Sequence, residues 1–328
     1  MSARLHIVTG KGGTGKTTVA AALALALARE AHTVLLAEVE GRQGISQTFE
    51  VPPLGTEETR VAKTAGGGVV IGLSIDAKAS LLEYLQMFYK LGRAGKLLEK
   101  FGAIDFATTI APGVRDVLVI GKVYEANRRR RDGKHKGDGP RAYDSLVMDA
   151  PPTGRIGRFL SVNSEVADLA RVGPIHNQAG SITELLTSDQ TVVHVVTLLE
   201  EMPVQETIEA IADLRSKDLT VGSIVVNMVR QPMLDDESLD RARDGRLHAP
   251  SITAQLSEAG VQATPELVAG LLEEAADHAH RVDLEREQLA LLTETGLPII
   301  SIPLLPDGVD AGSIREIAAI LASEGMVP

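Results

Sequence analysis

Residues 10–17 read Gly-Lys-Gly-Gly-Thr-Gly-Lys-Thr, between an aliphatic run at 4–9 and an Ala/Leu-rich stretch from about 16 to 29. The order is a buried strand, a glycine-rich turn and a helix, and glycine supplies the backbone angles that such a turn needs. The alternation continues down the chain. Aliphatic, β-branched or Leu-rich runs recur at 33–39, 69–75, 145–148, 191–199, 221–226 and 298–302, each bounded by turn or charged residues. Continuous apolar strands separated by helical stretches predict an α/β fold with a parallel sheet covered on both faces. Aromatics make up only 3% of the chain and Trp is absent, so the core between those layers must be aliphatic.

Two stretches break the alternation. Residues 77–127 are helical in pattern, with Leu81, Leu85 and Phe88 on one face and Leu82 and Tyr89 beside it. Residues 234–292 form a second helical block with apolar positions such as Leu267, Leu271 and Leu272. We expect one domain over residues 1–328, with the two blocks joined as a helical subdomain on one edge of the sheet. No internal repeat is visible.

The loop at 10–17 fits the pattern G-x-x-x-x-G-K-[S/T]. Its glycines let backbone N–H groups turn inward around phosphate, and those amides add to the positive end of the following helix. Gly12, Gly13, Thr14, Gly15, Lys16, Thr17 and Thr18 are therefore candidate ATP-binding residues. Lys16 is placed to reach the β- and γ-phosphates, and the Thr17 hydroxyl to ligate Mg²⁺. Such a loop needs an acidic partner at a strand end. Asp149 ends the run at 145–148, and the turn Pro151-Pro152-Thr153-Gly154 follows it.

These motifs resemble the arsenite-transport ATPases (ArsA) and their relatives that deliver tail-anchored membrane proteins. Residues 11–18 resemble the family's deviant P-loop, in which Lys11 stands as the signature lysine. Residues 149–160 (Asp-Ala-Pro-Pro-Thr-Gly-Arg-Ile-Gly-Arg-Phe-Leu) resemble its switch II segment. Residues 198–207 look like its proline–glutamate segment, and residues 224–227 and 303–307 like its adenine-binding stretches.

The resemblance implies a doubly wound, mostly parallel P-loop sheet with an added helical subdomain. It implies an ATP hydrolase acting as a conformational switch, in which two units, this chain with itself or with a paralogous chain, close around two ATP molecules. Lys11 would reach the partner's phosphates. Gly154 would sense the γ-phosphate, and Glu200, Asn227, Pro306 and Asp307 would line the base and ribose. The output would be the handling of a protein or membrane-protein client. A switch I Asp that positions the attacking water is matched by Glu40, whose extra methylene moves the carboxylate; Glu38 and Gln43 compete for that role.

Composition narrows these expectations. The chain has no Cys, so a thiolate zinc bridge, metalloid binding and an iron–sulfur cluster of the nitrogenase-reductase kind are all excluded. A net charge of −11 argues against general nucleic-acid binding. The basic run Arg128 to Arg131, with Lys134 and Lys136, reads as a solvated loop, or else as a contact for anionic lipid or nucleic acid. His278 and His280 do not share a helical face and are not expected to bind metal. No apolar leader and no uncharged membrane-length stretch is visible, so a soluble cytoplasmic protein is expected. In the first helical block Met87 stands alone beside stiff Phe88, Tyr89 and Phe101. A packed core follows, and with it a dedicated partner rather than a general chaperone of membrane helices. Two other readings remain: a partitioning or positioning ATPase acting on membrane or DNA, and a low-turnover nucleotide-binding scaffold.

Overall fold

The computed structural model describes residues 3–76, 79–80, 112–132, 139–169, 174–305 and 308–327. Eight strands form one sheet: β1 (Leu5–Gly10), β2 (Thr33–Glu38), β3 (Thr59–Lys63), β4 (Val69–Ser74), β5 (Ser145–Asp149), β6 (Thr191–Thr197), β7 (Val221–Val229) and β8 (Ile299–Pro303). Their order is β3-β4-β2-β5-β1-β6-β7-β8, and every neighbouring pair is parallel except β3 with β4. The predicted α/β class and mostly parallel sheet hold. The edge strand β3 escaped the reading because its residues, Thr-Arg-Val-Ala-Lys, bury only Val61. Charges on an outer strand discourage pairing with another chain, and they also erase the apolar run by which a strand is recognised.

Ten helices are described: α1 (Lys16–Leu27), α2 (Gly44–Thr48), α3 (Pro112–Arg128), α4 (Thr153–Leu169), α5 (Pro174–Thr187), α6 (Glu201–Ser216), α7 (Asp236–Arg243), α8 (Ala249–Glu258), α9 (Pro265–Thr293) and α10 (Ala311–Ser323). One face of the sheet packs Leu5, Ile7, Leu146, Met148, Val193 and Val195 against apolar residues of α3, α4, α5 and α6. The other packs Val8, Val34, Leu36, Val147 and Val196 against α1 and α10. The sequence of α1, Lys-Thr-Thr-Val-Ala-Ala-Ala-Leu-Ala-Leu-Ala-Leu, is apolar around most of its circumference, and the helix is buried accordingly between sheet and α10. That packing fixes the direction of α1, and with it the loop that opens it.

Of the first helical block, α3 is described; the face assigned to Leu81, Leu82, Leu85, Phe88 and Tyr89 lies outside the described residues, as do Met87 and Phe101. In the second block α7 and α9 are capped by Asp235 and Thr264, whose side chains accept the N–H groups of Ser238 and Leu267. Leu239 and Ala242 of α7 meet Ala279 and Val282 of α9 in a small core of their own. The apolar positions singled out in this block do not form that core: Leu267 and Leu271 are exposed and Leu272 is half-buried, because α9 turns its Val268–Ala279–Val282 side inward. His278 is buried and accepts the Met233 N–H at 3.1 Å, whereas His280 is exposed.

The described part of the basic run is structural, which corrects its reading as a solvated loop. Arg4 and Arg141 both donate to the Asn127 carbonyl in the last turn of α3, at 3.4 and 2.6 Å. Arg130 donates to the Gly139 carbonyl and Arg131 to that of Arg141, while Arg129 pairs with Glu125 and Glu58. Cations at a helix C-terminus meet the negative end of its dipole and satisfy orphan carbonyls. Lys134 and Lys136 lie outside the described residues. Among the described residues no helix is long and apolar enough to cross a membrane.

Candidate nucleotide site

Parallel pairing brings the C-terminal ends of the central strands together. Val8 is level with Asp149 across β1 and β5, and Gly10 with Val196 across β1 and β6. In open α/β sheets this edge is where ligands bind. Between β1 and α1 the loop closes on itself: the Thr14 N–H and hydroxyl both donate to the Lys11 carbonyl, at 3.3 and 2.9 Å. Gly12 and Gly13 are exposed, and a side chain on either would meet nothing within 4 Å. Gly15 is different. Its φ of +88° is left-handed, and a Cβ there would lie 2.3 Å from Asn227 Nδ2. Glycine is required at that position on both counts.

Asn227 comes to the loop from 213 residues away and donates from Nδ2 to the Thr14 carbonyl at 2.9 Å. It sits at an irregularity of β7, where the register with β8 shifts between Val226 and Val229 and Met228 adopts a φ of +56°. A bulge of this kind re-aims a side chain, here toward the loop. So Asn227 braces the loop between β1 and α1.

Lys16 is buried, 8% exposed, at the start of α1. The Thr17 hydroxyl donates to Asp149 Oδ2 at 2.6 Å, and Asp149 Oδ1 is buried without a hydrogen-bond partner. Burial pushes the Asp149 carboxyl up to about 6, against the opposing pull of Thr17 and Lys16. A buried carboxylate oxygen with an idle lone pair, beside a hydroxyl, is a hard-oxygen donor set that fits Mg²⁺.

The three candidates at the end of β2 and just after it separate cleanly. Glu38 is buried and accepts the N–H groups of Gln43 and Ile45, at 2.6 and 3.2 Å, which anchors the start of α2. Gln43 spends its amide on Leu54, donating to its carbonyl and accepting its N–H. Of the three, Glu40 alone lines a pocket, loosely held by Arg42 at 3.6 Å and Arg155 at 3.9 Å. Arg155 also reaches Asp116 of α3 at 3.6 Å, and burial raises the Asp116 carboxyl. These residues line one pocket with Val39, Arg115, Val119, Pro151 and Phe159.

After β5 the chain is pinned by the Thr9 hydroxyl, which donates to the Pro151 carbonyl at 2.6 Å. Gly154 stands in the first turn of α4, where helix N–H groups have no intrahelical acceptor, and open space surrounds its Cα. Lys11, the loop's second lysine, forms an ion pair with Glu206 of α6 at 2.7 Å. In the sequence Glu206 stands out only as part of the 198–207 segment. Glu200 is exposed at the N-cap of α6 without a side-chain cap bond, and Pro306 and Asp307 lie outside the described residues.

A family model described as anion-transporting ATPase matches residues 3–188, from the start of β1 through the loop, Asp149 and α4. The chain belongs to the ArsA family of ATPases. ATPase BagA of Mycobacterium tuberculosis H37Rv is 49% identical over 323 residues, covering 98% of this chain and 94% of that protein. ATPase GET3 of Kluyveromyces lactis is 28% identical over 261 residues, covering 69% of this chain and 72% of its own length. Membership in an ATPase family implies that the chain binds nucleotide.

Proposed function

We propose that the chain is a Mg²⁺-dependent ATP hydrolase with a deviant P-loop, which closes as a dimer with itself or a related chain and transmits that closure to a protein or membrane partner. The observation that carries this reading is the Lys16–Thr17–Asp149 arrangement with its idle, buried carboxylate oxygen. The backbone N–H groups of residues 12–18 would cradle the phosphates, and Lys16 would hold the β- and γ-oxygens as charge builds on them. Thr17 and Asp149 would hold Mg²⁺, which supplies further neutralisation of that charge. Gly154 would donate its N–H to the γ-phosphate. Glu40, freed from rival roles by the engagement of Glu38 and Gln43, would orient the attacking water; Arg42 and Arg155 limit the swing of its carboxylate. Because Arg155 also reaches Asp116, a shift of α3 would be felt at Glu40. We extend the reading to α3 and α7–α9 as parts of a helical subdomain that faces the partner.

Glu40→Gln tests the assignment. The amide keeps the size of the side chain but loses the charge that polarises water, so single-turnover hydrolysis should fall by about 10²-fold with nucleotide binding intact. The stalled protein with Mg-ATP should run at twice the mass of the chain alone, or at the mass of a pair with a paralogue added to the mixture. Parent-like single-turnover rates would move the water-positioning role off Glu40. A single-chain mass under every nucleotide condition would remove the dimer from the proposal.

A further inference from the structure

Lys11 and Glu206 meet at 2.7 Å, and the other oxygen of the same carboxylate accepts the Thr153 hydroxyl at 3.1 Å. Lys11 belongs to the loop after β1, and Thr153 opens α4, the helix that carries Gly154. One carboxylate on α6 therefore ties together the two segments that flank the phosphate position, with neither of its oxygens idle. Lys11 is the main cause that holds the Glu206 carboxyl below its ordinary range. The side chains are 29% and 32% exposed. A pair so placed is open to water and to a competing anion, and such pairs are individually weak. An ammonium on a flexible four-carbon stem exchanges partners readily, and a triphosphate offers it more charge than one carboxylate does.

We infer that Glu206 is a positioning residue that competes with nucleotide phosphate for the Lys11 ammonium. The inference rests on the reading of residues 10–17 as the nucleotide site and deepens it. While Glu206 holds Lys11, the loop's second cation points at α6 and the start of α4 is tied to the same carboxylate. Once Lys11 turns to a phosphate, whether in its own site or in one presented by a second copy, Glu206 keeps only its bond from Thr153. The exchange thus links occupancy of the loop to the segment that holds Gly154.

The test is a double-mutant cycle on binding of a non-hydrolysable ATP analogue. Glu206→Gln retains an acceptor for Thr153 but lacks the charge that holds Lys11. It should tighten binding about threefold to fivefold, the range set by one partly exposed ion pair. In a Lys11→Ala background the same substitution should change nothing, because the amine it would release is gone. Equal tightening in both backgrounds would overturn the inference, since Glu206 would then act only by general repulsion of the nucleotide. No tightening with Lys11 present would overturn it as well. Lys16→Ala separates this from the site reading: analogue binding at the parent's affinity in that variant condemns the site itself, whereas weakened binding there with an inert Glu206→Gln condemns only the competition.

Discussion

Lys16→Ala is expected to lower ATP turnover by about 10²- to 10³-fold, the cost typical of removing one preorganised group that meets developing charge. Two effects combine. The ammonium is nearly buried at the mouth of α1, where a charge interaction is worth far more than in bulk water. It is also one of the groups that favour the ionised form of Asp149, whose carboxyl burial has already pushed up to about 6. On the proposed reading, the variant therefore loses its contact with the phosphates and weakens a metal ligand together. Folding should survive, since alanine removes a buried charge and favours the first turn of a helix. Single-turnover assays with a binding measurement beside them read the result. Turnover equal to the parent's would show that the chemistry happens elsewhere.

The second large effect is acid destabilisation, and it arises at a pair of buried histidines on two neighbouring strands. His6 of β1 and His194 of β6 stack with ring centroids 5.5 Å apart, on the α1/α10 face of the sheet. The Ser223 N–H donates to His194 Nδ1 at 3.3 Å, His194 Nε2 lies 3.2 Å from His6 Nδ1, and His6 Nε2 lies 3.2 Å from the Ala3 carbonyl. Only neutral rings satisfy that chain of bonds, with each Nε2 carrying the proton. A further proton on either ring would set a donor against a donor. Burial lowers the His6 pKa to about 4 and drives that of His194 well below its ordinary value.

Since these values are depressed in the folded state, the unfolded chain takes up protons first as pH falls. Stability is complete above about pH 6.5 and declines toward pH 4, by about 3 kcal/mol from His6 alone. Urea midpoints measured across that window should drop, and His6→Leu combined with His194→Leu should flatten the slope, because no ring remains to protonate. An unchanged slope in the double variant would place the acid sensitivity on other groups.

Local sequence carried the glycine-rich loop between β1 and α1 because each of its requirements is local. Gly10 to Thr17 need only their own neighbours to make a strand, a turn and a helix start, and Asp149 announced itself by ending an aliphatic run before two prolines. The strands of the central sheet were legible for the same reason: burial on both faces forces an unbroken apolar run. The edge strand β3 lacks that pressure, so its polar residues hid it. Leu267 and Leu271 misled because an apolar residue marks a helix without saying which side will meet a neighbour; the position of α7 decided that.

Tertiary structure alone tells Glu38, Glu40 and Gln43 apart by their contacts. The three lie within six positions, and only the fold of α2 back onto Glu38 and of Leu54 onto Gln43 shows two of them to be engaged. It alone brought Asn227 to Thr14, Glu206 to Lys11 and His194 to His6, partners separated by 188 residues or more. A residue's pattern in sequence records the backbone it sits on and the face it buries. Which distant side chain shares that face is set by strand order and helix packing, which the whole chain determines together.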